Sequence, residues 1–108
     1  MSIHVRLLIE DAQEKLKIKE WMNLSYFTSF KVDVEKPLSS QDIVLIEVNS
    51  LLDWVKVQRM KKQYLGITIF PLLDQSMIKT APLAIELQLS SLFIKPIKRN
   101  SFLRTFKK

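Results

Sequence analysis

Asp42-Ile43-Val44-Leu45-Ile46-Glu47-Val48 is the stretch that decides the fold of this chain. Four apolar residues follow one another between Asp42 and Glu47, and three of the four are β-branched. Such a run is typical of a strand buried on both faces, and these strands belong to parallel sheets covered by helices. Glu47 falls at the carboxyl end of the strand, where ligands of open α/β sheets bind. Glu47 is therefore a candidate site residue, although its position alone also fits a residue that merely opens a loop.

Two further strand patterns and one helical pattern precede this central strand. Residues 3–9 alternate and then become continuously apolar, which predicts a first buried strand. Residues 12–23 carry apolar side chains at helical spacing, which predicts a helix. Residues 28–34 are shorter and more polar, as in an edge strand. Residues 35–41 include a proline and leave room for little more than one helical turn, so a reduced connection leads into the central strand.

A helix and a fourth strand follow the central strand. Residues 51–63 have the apolar spacing of a helix, and Ser50 is placed to cap it. Gly66, the only glycine, is expected to end this segment and turn the chain into a strand over residues 67–70. Pro71 is expected to close that strand.

The last third of the chain predicts one more strand between two helices. Residues 72–80 show no convincing period, whereas residues 81–87 predict a short helix with Pro82 in its first turn. Residues 92–94 predict a fifth strand, and the Lys95-Pro96 bond that follows is of the type that is sometimes cis. Residues 98–107 predict the last helix.

Strands and helices thus alternate five times, which predicts one α/β domain over residues 1–108. Alternation of this kind favours a parallel sheet with right-handed crossovers and helices on both faces. A length of 108 residues is enough for one hydrophobic core and too short for two.

Composition excludes several classes of function. The chain has no cysteine and one histidine, His4, so disulfides, a zinc site and Ser-His or Cys-His catalysis are not expected. No glycine-rich loop is present to cradle a phosphate. We therefore expect a non-enzyme. The apolar runs are too short to span a membrane, and the chain fits a reducing cytoplasm.

The net charge of +6 is concentrated in the second half of the chain. Residues 1–50 hold six Lys or Arg against eight Asp or Glu, whereas residues 51–108 hold eleven against three. One alternative function is therefore nucleic-acid binding with strong salt dependence. The basic residues it would use are Lys56, Arg59, Lys61, Lys62, Lys98, Arg99, Arg104, Lys107 and Lys108. No recognition motif accompanies them, and solvated basic helices explain them equally.

Two adjacent carboxylates, Glu10 and Asp11, directly follow the first predicted strand. They fit either the start of a helix, with Asp11 as its cap, or a cation site.

With these elements in place, the chain resembles the receiver domain of two-component response regulators over essentially its full length. The matching segments are Leu7-Leu8-Ile9-Glu10-Asp11, the central stretch ending in Glu47-Val48, and Phe93-Ile94-Lys95-Pro96 with the flanking helices. The resemblance implies a flavodoxin-like, doubly wound, five-stranded parallel sheet of order 2-1-3-4-5, here with a reduced second helix.

In that family the residue matched by Glu47 is an aspartate that accepts a phosphoryl group. A glutamate carboxylate stands about 1.5 Å farther out. Displacements of this size can cost about 100-fold in a reaction that requires near-attack geometry. The resemblance therefore implies a receiver that is not efficiently phosphorylated, and in which Glu47 imitates the modified state with a permanent charge.

Other positions depart from the family in the same direction. Its switch hydroxyl is matched by Pro71 or Leu73, and its switch aromatic by Leu92. Gln88 stands at a usual glycine, and the loop after the acceptor is shortened to Asn49-Ser50.

The family's metal and phosphate ligands survive in part. By resemblance, Glu10, Asp11, Glu47 and the carbonyl of Asn49 would hold Mg²⁺, and Lys95 would contact the phosphate. We expect no cofactor and weak or absent Mg²⁺ binding, because the longer side chain of Glu47 stands in the middle of the site. The alternative is that Lys95 pairs with Glu47 or with Asp11, so that clustered carboxylates do not face one another.

The expected function is that of an atypical, phosphorylation-independent receiver domain of a signalling or transcription regulator. It would act as a protein-interaction or dimerisation module through its fourth helix, fifth strand and fifth helix. The residues of that face are Ile85, Gln88, Leu92, Lys98, Arg99 and Arg104. A second hypothesis keeps phosphorylation, on Glu47 or on the displaced Asp53. Nucleic acid would be bound only through an effector domain outside this chain, and no membrane is involved.

Overall fold

The computed structural model describes residues 3–24, 27, 29–32 and 36–106. The strands are β1 (Ile3–Leu8), β2 (Phe30–Val32), β3 (Ile43–Val48), β4 (Thr68–Leu73) and β5 (Phe93–Ile94). The helices are α1 (Ala12–Met22), α2 (Leu51–Gln63), α3 (Pro82–Glu86) and α4 (Arg99–Phe106), and a 3₁₀ helix covers Gln75–Thr80. None of the helices in these ranges is long and apolar enough to cross a membrane.

The five strands form one parallel sheet of order β2-β1-β3-β4-β5. The register pairs Leu8 of β1 with Ile46 of β3, and Glu47 of β3 with Leu72 of β4. This is the flavodoxin-like arrangement, so the predicted fold class and strand order are confirmed.

The strands contribute side chains to two hydrophobic cores, because alternate side chains point to opposite faces of the sheet. One core lies under α1 and α4. It contains Val5, Leu7, Ile9, Ile18, Met22, Phe27, Leu45, Phe70, Leu72, Phe93, Ile97, Phe102 and Phe106. The other lies under α2, the 3₁₀ helix and α3. It contains Val44, Ile46, Val48, Trp54, Val57, Met60, Ile67, Ile69, Leu73, Met77 and Ala84.

The connection before β3 is the reduced element that the sequence predicts. Residues 36–42 contain no helix, while part of residues 35–41 and the ends of the predicted second strand (28, 33 and 34) lie outside the described residues. Arg6 of β1 holds this connection by donating to the carbonyls of Lys36 and Pro37 and to Asp42, whose Oδ2 is 3.1 Å away. Asp42 is buried and also accepts from the backbone and hydroxyl of Ser39.

Pro71 does not close the fourth strand, which continues to Leu73. The backbone N–H of Asp74 and that of Thr68 both point to β3, donating to Val48 and Asp42. Backbone N–H groups point alternately to the two neighbouring strands along β4. Pro71 lies three residues from both Thr68 and Asp74, so the N–H that it lacks would point to β5. Pairing with β5 begins only at Leu72, and the proline therefore interrupts no hydrogen bond of the sheet.

Two other local details differ from the sequence analysis. Residues 75–80, for which the sequence showed no period, form the 3₁₀ helix, and Asp74 is its N-cap because its side chain accepts from the N–H of Ser76. Ser50 occupies the N-cap position of α2 but makes no side-chain capping bond. Asp53 accepts from the N–H of Asn49 instead, at 2.8 Å. The remaining helix and strand boundaries lie within about two residues of those predicted, and Lys107 lies outside the described residues.

Two backbone features follow the sequence. Gly66 has a φ of +90°, in the left-handed region that favours glycine, and it turns the chain from α2 toward β4. The Lys95-Pro96 peptide bond is cis.

Candidate functional site

The candidate site lies at the carboxyl edge of the sheet, where polar residues stand at the ends of three strands. Glu10 and Asp11 follow β1, Glu47 is the next-to-last residue of β3, and Lys95 directly follows β5. Parallel strands bring these ends to one edge, in agreement with the resemblance to receiver domains. The structure brings all four residues together.

Glu47 is the centre of this group. Its residue is 7% exposed, and both of its carboxylate oxygens are used. Oε1 accepts from the backbone N–H of Glu10 at 2.8 Å and from that of Asp11 at 3.4 Å. Oε2 accepts from the ammonium of Lys95. Glu47 is therefore not a loop-opening residue but an internally satisfied anion.

Lys95 reaches two further acceptors beside Glu47. Its Nζ lies 3.6 Å from Oδ2 of Asp11 and 3.4 Å from Oδ1 of Asn49. Gln75 donates its side-chain amide to the Lys95 carbonyl, which holds the residue in place. Of the alternatives left open by the sequence, pairing of Lys95 with both Glu47 and Asp11 is the one observed.

This pairing moves the pKa values of both partners apart. Burial raises the pKa of Glu47, but the hydrogen bonds from Lys95 and Glu10 and the charge of Lys95 outweigh it, so the pKa lies below its ordinary value. Burial lowers the pKa of Lys95, but the hydrogen bond and charge of Glu47, with the charges of Asp11 and Asp74, raise it above the ordinary value. Both groups are charged at neutral pH.

Asp11 serves as a helix cap, which is one of the two roles that the sequence allowed. Its Oδ1 accepts from the N–H groups of Gln13 and Glu14, at 3.1 and 3.2 Å. The first turn of α1 thereby gains the partners that helix N–H groups otherwise lack. Its other oxygen faces Lys95.

The carboxylates do not form a metal centre in the part of the chain that the structure describes. No group of three or more potential ligands is gathered there around a common point. The oxygens of Glu47 point at N–H donors and at the Lys95 ammonium, which are the partners of an anion rather than of a cation. The residues therefore do not fit Mg²⁺ in this arrangement.

A buried glutamate that sequence reasoning missed ties α1 to the segment that precedes α4. Glu14, in the first turn of α1, is 5% exposed and accepts from the backbone N–H of Ile97 at 2.7 Å. It also pairs with Lys17 at 2.6 Å, and Lys17 donates to the Ile97 carbonyl. An acid in a helical first turn is normally explained by the helix dipole, so no sequence signal distinguished this one.

The positions that match the family's switch residues carry apolar side chains. Pro71 and Leu73 are buried in the sheet, and neither carries a hydroxyl. Leu92 is half-buried against the α2 core. Gln88 has a φ of 60°, the left-handed conformation that a glycine would adopt freely.

The predicted interaction face begins beside the carboxylate group, since Leu92 and Lys98 line one groove with Lys95. Ile85 of α3 is 80% exposed. Gln88, Lys98, Arg99 and Arg104 are exposed as well.

Neither a protein-family model nor a curated protein matches the sequence. Solved structures resemble the fold closely. A response regulator from Colwellia psychrerythraea superposes with a TM-score of 0.69 at 16% identity, covering 99% of this chain and 95% of the other. The chain has a receiver-domain fold.

Two pilus assembly proteins share the receiver-domain fold. CpaE2 from Sinorhizobium meliloti has a TM-score of 0.79 at 8% identity and covers 97% of this chain and 98% of its own. CpaE from Caulobacter crescentus has a TM-score of 0.69 at 12% identity, with 98% and 96% covered. Identities this low show a common fold and leave function to the side chains.

Proposed function

We propose that this chain is an atypical receiver domain of a signalling regulator, which works without phosphorylation as a protein-interaction module. The observation that carries the proposal is the pairing of Glu47, at the position of the phosphoacceptor, with Lys95. In the family that lysine contacts the phosphoryl group. Here its ammonium is already bound by a carboxylate of the chain itself.

The surroundings of Glu47 support a permanently charged state. An acceptor carboxylate must present a free oxygen to the phosphorus atom, since transfer depends on near-attack geometry. Oε1 is directed at two backbone N–H groups and Oε2 at Lys95. A phosphoryl group would have to displace the lysine, and no hydroxyl at Pro71 or Leu73 would receive it.

Phosphorylation of Glu47 or of Asp53 is the competing function, and a chemical assay separates the two. The wild type and the variants Glu47→Gln and Asp53→Asn are incubated with acetyl phosphate and Mg²⁺, and intact masses are measured. We expect no phosphoryl adduct on any of them.

A stoichiometric adduct on the wild type would contradict the proposal, and the variant that loses it would identify the acceptor. Asp53 is a fair competitor because it lines the same groove as Glu47. Its carboxylate, however, is held by the N–H of Asn49 and lies 3.5 Å from Lys56.

The interaction face that we propose is formed by α3, β5 and α4, with Ile85 at its most exposed point. An isoleucine side chain in this setting loses apolar surface to water on association, which is favourable by about 1.5 to 3 kcal/mol if it is fully buried. Lys98, Arg99 and Arg104 give the face a polar, basic rim.

A dimer formed through this face should appear in light scattering at two protein concentrations. We expect the mean mass to rise with concentration in the wild type and to stay monomeric in Ile85→Asp. Leu65→Asp is the matched control, because Leu65 is also 80% exposed and lies outside the face. A mass that does not change with concentration would contradict dimerisation.

A further inference from the structure

Crossovers between parallel strands usually contain a helix, and the described part of the connection between β2 and β3 does not. The chain passes from β2 to β3 across β1, and a right-handed crossover places this connection on the face opposite α1. The described part of it, residues 36–42, contains no helix. The described part of the connection therefore does not cover the face of β1 with a helix.

A groove of about 480 Å³ lies over this part of the sheet. Leu8 of β1 and Ile46 of β3 form its apolar floor, and Asp53 and Lys56 of α2 form one wall. Leu8 is 45% exposed, although β1 is an inner strand with neighbours on both sides. Leu52 precedes Lys56 by one helical turn, so it shares that side of α2, and it is 65% exposed.

The acids around the groove are mostly neutralised from within the chain. Asp42 is paired with Arg6 at 3.1 Å, and Glu47 with Lys95. Asp53 accepts from a backbone N–H and lies 3.5 Å from Lys56. Glu10, just beyond the carboxyl end of β1, is exposed.

Lys56 lines the groove, and three further exposed bases lie beyond its lining on the same side of the sheet. Lys31 pairs in register with His4 and therefore shares the face of Leu8. Lys36 is exposed in the connection, and Arg59 follows Lys56 by three residues on α2. The side chain of Lys56 is itself 61% exposed. With Lys56 set against Asp53, the exposed Lys31, Lys36 and Arg59 outnumber the exposed Glu10 among the described residues on this side of the sheet.

We propose that this groove binds an amphipathic helix of another protein, which carries apolar side chains on one side and carboxylates along its flanks. The partner helix lies beside α2, over the face of β1 that the described residues 36–42 leave without a helix. Its apolar side contacts Leu8 and Leu52, and its carboxylates face Lys56 and Arg59. Binding of this kind follows the helix-in-groove mode of recognition.

A second copy of this chain is a poorer occupant than an acidic helix. A symmetric contact through the groove would bring the exposed bases of both copies, Lys31, Lys56 and Arg59, into one interface. Like charges at an interface oppose association. The groove is also separate from the face around Ile85 that we propose for dimerisation, so the two surfaces can be tested independently.

Two synthetic peptides test the proposal directly. The six residues of β1 span roughly 20 Å, which a helix of about 13 residues matches. Each peptide has this length, is held helical by a side-chain crosslink, and carries leucines at helical spacing. One is flanked by glutamates and the other by lysines at the same positions. Binding to the ¹⁵N-labelled chain is followed by NMR chemical shifts.

We expect the glutamate peptide to shift the amides of Leu8, Ile46 and Lys56 and to leave that of Ile85 unchanged. Leu8→Asp should weaken its binding about tenfold or more, since a leucine contact is lost and a charge is added. The double variant Lys56→Glu/Arg59→Glu should reverse the preference, so that the lysine peptide binds more tightly. A loss of folding cannot produce such a reversal.

The matched control is Lys19→Glu/Lys79→Glu, which makes the same charge change at exposed positions outside both proposed surfaces and should leave the affinity unchanged. Three results would overturn the proposal. They are the absence of shifts at the groove, equal binding of both peptides to the wild type, and groove shifts that depend on the concentration of the chain alone. The last result would assign the groove to a second copy.

Discussion

Replacing Lys95 with methionine is expected to destabilise the folded chain by about 3 kcal/mol, because it leaves a buried carboxylate without its cation. The side chains of Lys95 and Glu47 are 14% and 6% exposed, so water reaches neither freely. Methionine keeps the length and apolar stem of lysine, which limits the loss of packing. Urea denaturation at neutral pH measures the difference in the free energy of unfolding.

The double variant Glu47→Gln/Lys95→Met should recover most of this loss, since it removes both charges together. Together with the single variant Glu47→Gln, these proteins form a double-mutant cycle, and the coupling energy between the two side chains is expected to be about 2 kcal/mol. A double variant no more stable than Lys95→Met alone would show that the pair is not the source of the effect.

The acid dependence of stability provides an independent check on the same pair. The pKa of Glu47 lies below its ordinary value of 4.5. Its contribution is therefore complete above that pH and is lost as the pH falls through the lowered pKa. The pKa of Lys95 lies above its ordinary value of 10.5, so its contribution is complete below that pH and is lost only as the pH rises through the raised pKa. The stability difference between the wild type and Lys95→Met should be full at neutral pH and shrink below pH 4.5.

Replacing Phe102 with alanine is expected to destabilise the chain by about 4 kcal/mol. Phe102 of α4 is fully buried. Its ring stacks on that of Phe106 at 4.6 Å between centroids and lies 5.3 Å from that of Trp21. Alanine leaves a cavity that α1 and the sheet cannot fill without moving the backbone.

The same urea denaturation measures this loss, with Arg104→Ala as the control on the same helix. Arg104 is exposed, so its replacement should change the free energy of unfolding by no more than about 0.5 kcal/mol. If Phe102→Ala lowers the free energy of unfolding by less than about 1 kcal/mol, the core repacks around the cavity and is not rigid.

The elements of the fold could be predicted because their patterns are local. The buried run ending in Glu47 and the helical spacing of residues 51–63 each identify an element without reference to the rest of the chain. Pro71 was misjudged because its effect depends on which neighbour its missing N–H faces, and that depends on where β5 begins. Such information is held by the assembled sheet, not by the sequence around the proline.

The candidate site shows the same division. The resemblance to receiver domains implied that Glu10, Asp11, Glu47 and Lys95 meet, and in the structure the strand ends of the parallel sheet share one edge. The partners of Glu14 could not be predicted, because its bond to Ile97 joins residues 83 positions apart. Nor could the partners of Arg6 be predicted, because it binds carbonyls 30 and 31 residues away.

The brevity of β5 has a consequence for how the protein behaves in concentrated solution. Its outer edge offers only Phe93 and Ile94 in strand conformation, and Pro96, which has no N–H, follows two residues later. A strand from a neighbouring molecule would find almost no ladder to extend. This margin of the sheet therefore resists the edge-to-edge stacking from which fibrils grow.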